Sequence, residues 1–317
     1  MILTVALSPS LDVTYVVDAL SGIQRPLDVR RAAGGKALNA ARAAATMGAS
    51  VAAVAVLAGP TGAEVAAGAR SAGVELTEVP GVVATRTCIS ILARDTGDLT
   101  EIYEEPTPVP RQAFETVLHE LASAADRGTG WCMISGGLPT SLGTDALARV
   151  LERLRAVGVR AAVDSHGPAL AAAMSQRPDL VKVNRSEAAE LLGVDADGDL
   201  LAMVRGLVAL TDGVVVVTDG VDGAVAAAGG EAYRASLRGP IGSFPVGSGD
   251  TFLGGLVTGL DRGESLPDAL RRATAFATAN ALVPGTAAFD VSTAEELMRE
   301  VEITLLALPT PARSLGQ

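Results

Sequence analysis

Short, wholly apolar runs alternate along this chain with longer amphipathic stretches, and the two periods separate strands from helices. Residues 2–7 (ILTVAL) end at Ser8-Pro9-Ser10, which predicts a buried strand followed by a turn. An Ala-rich stretch opens at Gly34-Gly35-Lys36 and ends near Gly48, with Leu38, Ala41, Ala45 and Met47 at its apolar positions, and predicts a helix. Strands follow at 51–57 and 74–79 with a helix at 61–72 between them, the alternation of a parallel sheet. After Pro110 the same rhythm gives a helix to about Asp126, a strand at 131–135, a helix at 144–156, and strands at 160–163, 180–183 and 214–217. Residues 224–228 and 231–235 read as a hairpin about Gly229-Gly230. Three helices near 250–260, 266–283 and 293–307 close the pattern, ahead of a loose tail at 309–317.

The rhythm breaks in two places. From Asp12 to Ala33 the apolar positions alternate loosely and share the stretch with Arg25, Arg30 and Arg31, which predicts partly exposed strands rather than core. Residues 86–93 and 99–103 flank the turn Asp95-Thr96-Gly97-Asp98 and read as a polar hairpin. The two segments, about 12–33 and 86–105, are expected to form a small sheet standing off the main one as a lid over a site. With no long linker, repeat or low-complexity insert, the expectation is one α/β domain over 1–317 plus this lid.

Composition refines the picture. Hydrophobic residues make up 49% of the 317 but aromatics only 3%, so the core is one of Ala, Val and Leu, suited to helices packed closely on a parallel sheet. Twenty-five Lys and Arg against 36 Asp and Glu leave a formal net charge of −11, a field that repels nucleic acid and anionic membrane. Neither is expected as a partner, and an anionic substrate must meet locally placed cations. Cys88 and Cys132 lie in apolar, strand-like surroundings with no metal-ligand spacing, and read as reduced core residues of a cytoplasmic protein. The first residues read as a strand rather than a signal peptide. Residues 43–63 carry no charge, but Gly48, Gly59, Pro60 and Gly62 divide them into a helix end, a strand and a turn rather than a membrane span.

The candidate chemistry gathers at glycines. In Pro245-Val246-Gly247-Ser248-Gly249-Asp250-Thr251 a glycine-rich turn opens into an apolar helix, so free N–H groups and the positive end of the helix dipole converge where an anion is favoured. Asp250 at that rim is suited to take the proton of a hydroxyl attacking a phosphoryl group while backbone donors hold the growing charge. Read alone, the stretch is also an ordinary helix start with Asp250 as a capping residue. Gly34-Gly35 opens the earlier helix in the same way, and Lys36 and Asn39 add a point charge and a paired donor and acceptor, suited to a polyol bearing a phosphate. Asp12, just past the first strand, is placed either to orient substrate hydroxyls or to stabilise a turn. Asp164, Asn184 and Glu187 follow strand ends on the same rim and suit Mg²⁺, although Asn184 and Glu187 also spell a capping box.

Three stretches, Gly34-Gly35-Lys36-Ala37-Leu38-Asn39, Lys182-Val183-Asn184-Arg185-Ser186-Glu187 and Val246-Gly247-Ser248-Gly249-Asp250-Thr251, occur in the order and spacing of the ribokinase-like sugar kinases, the PfkB family, which the chain resembles over nearly its whole length. Residues 1–12 and the hairpin from Thr85 to Ile102 are similar to its phosphosugar branch, the tagatose-6-phosphate kinases and 1-phosphofructokinases. The resemblance implies a three-layer α/β/α domain with a mostly parallel central sheet and a small β-sheet lid through which two copies pair. It implies Asp250 as catalytic base and Gly247, Ser248 and Gly249 as the anion hole. Asp12, Gly34, Gly35 and Asn39 would hold the sugar, with Lys36, Arg86, Ser135 and Arg25 toward its phosphate. Asn184, Glu187, Thr218, Gly220, Gly223, Gly249 and Asn280 would serve ATP, and Asp164 and Glu187 its Mg²⁺.

Four positions depart from the family pattern: Ala37 for a glycine, Gly137 for a second serine after Ser135-Gly136, Val183 for a proline, and His166 for a small residue. The missing hydroxyl at 137 bears on whether the acceptor carries a phosphate. The expected reaction is phosphorylation of a primary hydroxyl of a ketohexose phosphate, of the tagatose 6-phosphate or fructose 1-phosphate type, by ATP. A kinase of an unphosphorylated sugar or nucleoside, and a non-catalytic sugar-phosphate sensor, are the alternatives. A nicotinamide dehydrogenase fits poorly, because no G-x-G-x-x-G turn follows the first strand.

Overall fold

A computed structural model describes residues 1–307. The apolar runs become a ten-stranded sheet in which β1 (Ile2–Ala6), β4 (Val51–Leu57), β5 (Val74–Pro80), β8 (Trp131–Ser135), β9 (Arg160–Asp164), β10 (Leu180–Asn184) and β11 (Val214–Thr218) run parallel, in spatial order β5-β4-β1-β8-β9-β10-β11. Beyond β11 the sheet turns antiparallel through β12 (Ala224–Ala228), β13 (Glu231–Ser236) and β14 (Glu302–Leu306).

Helices cover both faces, and the alternation within β1 divides two cores. Ile2 and Ala6 face α1 (Lys36–Thr46), α2 (Gly59–Ser71), α8 (Ser248–Asp261), α9 (Leu266–Ala281) and α10 (Val291–Glu300). Leu3 and Val5 face α3 (Arg111–Ala122), α4 (Ala146–Ala156), α5 (Gly167–Met174), α6 (Arg185–Leu192) and α7 (Leu200–Val208). The first core is dominated by alanine, including Ala40, Ala41, Ala43, Ala44 and Ala273, so α1 and α8 pack closely over β1. That closeness sets the two glycine turns side by side.

The predicted hairpin is β6 (Arg86–Ala93) and β7 (Leu99–Tyr103), and it joins β2 (Ser10–Val17) and β3 (Asp28–Gly34) in a separate four-stranded sheet, order β3-β2-β6-β7. One expectation is corrected here: β2 is mostly buried, with Leu11, Val13 and Val17 inside, because it is an inner strand with α2 packed across it. Asp12 therefore lies within a strand of the small sheet, not in a turn after β1. A second correction concerns the last predicted helix, which stops at Glu300; Val301 turns extended and β14 pairs with β13. Helices α5 and α7 had no counterpart in the sequence reading. The tail expected to be loose, 309–317, lies outside the described residues.

Candidate active site

Helix α8 begins at Gly247, whose φ of 80° is left-handed, and a Cβ there would come 2.7 Å from the amide nitrogen of Ala287. Glycine is thus required twice over, by backbone conformation and by the approach of the 286–287 loop. Ser248 N–H donates to Pro245 O at 3.1 Å, whereas the amides of Gly249 and Asp250 lie in the first turn, beyond reach of helix carbonyls. Of the three residues expected to form an anion hole, Ser248 thus has its N–H committed within the turn. Asn280 lies behind this turn, donating to Val246 O and Ser248 Oγ at 2.9 Å each and accepting from Ala288 N–H at 3.0 Å. It lines neither cavity described below and supports the loop from behind.

Asp250 is not the helix cap. Its Oδ2 accepts from Asn39 Nδ2 at 3.0 Å, and the same nitrogen lies 3.3 Å from Asp12 Oδ2. Ser10 Oγ donates to Asp12 Oδ1 at 2.6 Å, so both carboxylates are held from outside the glycine turn. A Cβ on Gly34 would overlap the Asp12 carboxylate, which explains why glycine precedes Gly35. Burial pushes the Asp250 carboxyl up to about 6, with Lys36, Asn39 and Lys182 opposing and Asp164 reinforcing the rise.

A second charge cluster lies at the ends of β9 and β10. Lys182, buried in mid-strand between Val181 and Val183, donates to Asp164 Oδ2 at 2.8 Å. Burial pushes the Asp164 carboxyl up, but Lys182 and Lys36 outweigh it and hold it below its ordinary range. Lys36 Nζ lies 3.8 Å from both Asp164 Oδ1 and Glu187 Oε1, and these carboxylates, Asp164 foremost, raise its own pKa. Asn184 and Glu187 form the reciprocal capping box of α6, at 2.8 Å in each direction. Glu187 thus caps the helix through Oε2 and turns Oε1 toward Lys36.

Among the described residues no cluster of three His, Cys, Asp or Glu side chains forms a ready metal cage. Asp164 Oδ1 is nevertheless buried without a hydrogen-bond partner, and Glu187 lines the cavity close by. Two carboxylates short of a cage fit Mg²⁺, which keeps several waters and shares substrate phosphates.

Two cavities meet at this point. The larger, about 750 Å³, is lined by Asp12, Gly35, Lys36, Asn39, Arg86, Ser135, Glu187, Gly247 and Asp250 among the expected residues. The smaller, about 370 Å³, takes in Gly220, Gly223 and Ser248 with apolar walls from Val221, Leu237, Ile241 and Phe252. Asn184, Thr218, Pro245 and Gly249 line both, so the turn ahead of Asp250 is the junction. Arg25 is exposed on the loop after β2 and lines neither, while Asp164 and Gly34 stand just behind the wall.

Several contributors were missed in the sequence. Arg42 Nη2 donates to Asn39 Oδ1 at 3.1 Å and to Thr286 O at 2.6 Å, and burial lowers its pKa despite Asp12 and Asp250. One turn after Asn39, it was the legible signal, a lone charge inside an alanine helix. Lys182 carried a similar signal, an ammonium within an apolar strand, which demands a buried counter-charge. Glu101 and Tyr103 also reach the larger cavity, and nothing local distinguished them; His166, noted only as a departure from the family pattern, lines it too.

The chain matches the pfkB family carbohydrate kinase family over residues 9–294. It is 29% identical over 311 residues to the tagatose-6-phosphate kinase of Staphylococcus epidermidis, covering 96% of this chain and 99% of that protein. Among solved structures it is similar to phosphofructokinase-2 from Escherichia coli in complex with substrates and products, with TM-score 0.87 and 24% identity over 94% of this chain and 98% of that one. It is also similar to a Thermotoga maritima protein described as a possible 1-phosphofructokinase, with TM-score 0.87 and 20% identity over 97% of this chain and 100% of that one. The structural likenesses establish the ribokinase-like fold. Together with the family match they identify the chain as a member of the PfkB family of carbohydrate kinases, phosphotransferases with an alcohol group as acceptor.

Proposed function

We propose that this kinase transfers the γ-phosphoryl group of ATP to a primary hydroxyl of a ketohexose phosphate, of the tagatose 6-phosphate or fructose 1-phosphate type, giving the bisphosphate. The observation that carries the reading is the placement of Asp250, buried beneath Asn39 at the junction of two cavities, one polar and one apolar-walled. Likeness to a tagatose-6-phosphate kinase along 96% of the chain supports the acceptor class.

Asp12 and Asn39 orient the acceptor's hydroxyls in the larger cavity. Asp250 takes the proton of the attacking hydroxyl as its oxygen bonds to phosphorus and the bond to the ADP oxygen breaks. The Gly249 and Asp250 amides, with the α8 dipole, stabilise the charge on the transferring group. Lys36 stands by the same junction, drawn there by Asp164 and Glu187. Mg²⁺, when bound, would supply charge neutralisation for the phosphates, and Glu187 and Asp164 are the side chains that would hold it. The smaller cavity, with Thr218, Gly220 and Gly223, takes the nucleoside.

The small sheet serves as a lid and as the pairing face of a homodimer, since Val29 and Ile102 are exposed on the face turned away from the cavity. Among the described residues no helix is long and apolar enough to cross a membrane. The buried free cysteines fit a reducing, cytoplasmic setting.

An unphosphorylated sugar is the second reading, favoured by the absence of a side chain at Gly137 and by the carboxylates Asp12, Glu101, Glu187 and Asp250 around the larger cavity. ADP release across a panel of ketoses, aldoses and their phosphates decides between them. Preference for the unphosphorylated members would overturn the proposal.

A further inference from the structure

One wall of the larger cavity is made by two loops, residues 135–138 after β8 and residues 165–166 after β9. They are tied together: Gly136 N–H donates to Asp164 O at 2.8 Å and Ser165 Oγ donates to Gly136 O at 3.0 Å. The tie fixes His166, the extended residue that caps α5, against Gly137. A Cβ added at Gly137 would come 3.0 Å from His166 Cε1 and 3.2 Å from its Nε2. The imidazole thus stands in the space a side chain at 137 would enter, and it is exposed to the cavity.

Each cation of this cavity already has a partner, although the Arg86 Nε is buried without one. Lys182 pairs with Asp164, Lys36 is drawn to Asp164 and Glu187, and Arg86 Nη1 donates to Glu104 O at 2.8 Å. A dianionic group entering beside four carboxylates needs further donors than these cations supply. His166 offers an imidazole N–H in either charge state, and Ser135 Oγ, buried with no hydrogen-bond partner, lines the same wall.

We infer that His166, together with Ser135, binds the phosphate the acceptor already carries, and that the Gly137–His166 pair sets acceptor selectivity. The inference rests on the sugar-phosphate reading above. It makes the bare glycine at 137 part of the recognition device, since the residue that replaces a side chain there needs its space.

Steady-state kinetics with tagatose 6-phosphate and fructose 1-phosphate, each beside its unphosphorylated parent sugar, test this in wild type, His166→Ala, Gly137→Ser and the double variant. His166→Ala is expected to raise KM for the preferred phosphorylated acceptor by roughly tenfold or more, with kcat, KM for ATP and Tm little changed. Gly137→Ser alone is expected to raise the same KM, because its side chain crowds the imidazole. The double variant is expected to be less impaired than the product of the two single effects, the coupling of residues that share one space. A His166→Ala KM within about twofold of wild type, in an enzyme that does prefer the phosphorylated acceptor, overturns the assignment and leaves the sugar-phosphate reading standing. A wild-type preference for the parent sugar overturns that reading and the inference with it.

Discussion

Arg42 Nη2 donates to Asn39 Oδ1 at 3.1 Å, and that bond decides which end of the Asn39 amide faces Asp250. With its oxygen occupied by a guanidinium, Asn39 presents its NH₂ to Asp12 and Asp250, which accept at 3.3 and 3.0 Å. The reverse orientation would set oxygen against two carboxylates. Replacing Arg42 by Met is expected to lower kcat/KM for the acceptor by roughly tenfold and stability by about 1–3 kcal/mol, since Thr286 O also loses its donor. Unchanged acceptor kinetics in a folded Arg42→Met variant would remove Arg42 from the account.

Asp250 titrates within the working range. Only the ionised carboxylate accepts a proton, and burial raises its pKa to about 6, so kcat/KM for the acceptor should fall as pH drops through about 6 and level off above it. A pH–rate profile flat down to about 4, the range of an unperturbed Asp, contradicts this.

The same shift has a consequence for stability. Between about pH 4 and 6 the folded protein binds a proton at Asp250 that the unfolded chain releases, so this group's contribution to stability falls as pH rises through that window. Above it the ionised, buried carboxylate costs the fold about 3 kcal/mol. Asp250→Asn should therefore raise stability by roughly 1–3 kcal/mol at pH 8 and by little at pH 4. Denaturant midpoints at the two pH values measure the difference.

Lys182 and Asp164 are an almost fully buried pair, with side chains 5% and 1% exposed. Removing one partner strands the other charge, so Lys182→Met should destabilise by about 3–5 kcal/mol. Adding Asp164→Leu should recover much of that loss, although activity stays low because Lys36 loses its leading electrostatic anchor. Equal stabilities of the single and double variants would contradict the pairing.

The small sheet exposes Val29 at 45% and Ile102 at 54%. If this face joins two copies, the wild type is a dimer at micromolar concentration by light scattering, and Val29→Glu with Ile102→Glu shifts it to monomer. A wild-type monomer contradicts the pairing role.

Much of this was legible in the sequence, for physical reasons that also mark where it stopped. β4 and β11 are continuous apolar runs, and buried parallel strands must be so. The 86–103 hairpin was read to the residue because its turn residues bracket two alternating strands. β14 was not legible, because Glu302–Leu306 is held by the free edge of β13 rather than by local preference. Lys36, Asn39 and Asp250 stood out because each lies beside a glycine turn, and Asp12 because it follows the first apolar run. Arg42 and Lys182 stood out locally as charges in apolar elements, but their roles depend on partners distant in sequence, 244 residues away for Arg42 and Thr286, which no local pattern announces. Arg25 illustrates the converse, a cation near the right motif that the fold leaves outside both cavities.

The central claim is that Asp250 is the base at the junction of the two cavities. Turnover of Asp250→Asn with a ketohexose phosphate and ATP, alongside nucleotide binding by the same protein, tests it most directly. The account predicts kcat lowered by roughly 10²–10⁴ with ATP affinity nearly unchanged. Turnover within about tenfold of wild type would contradict it.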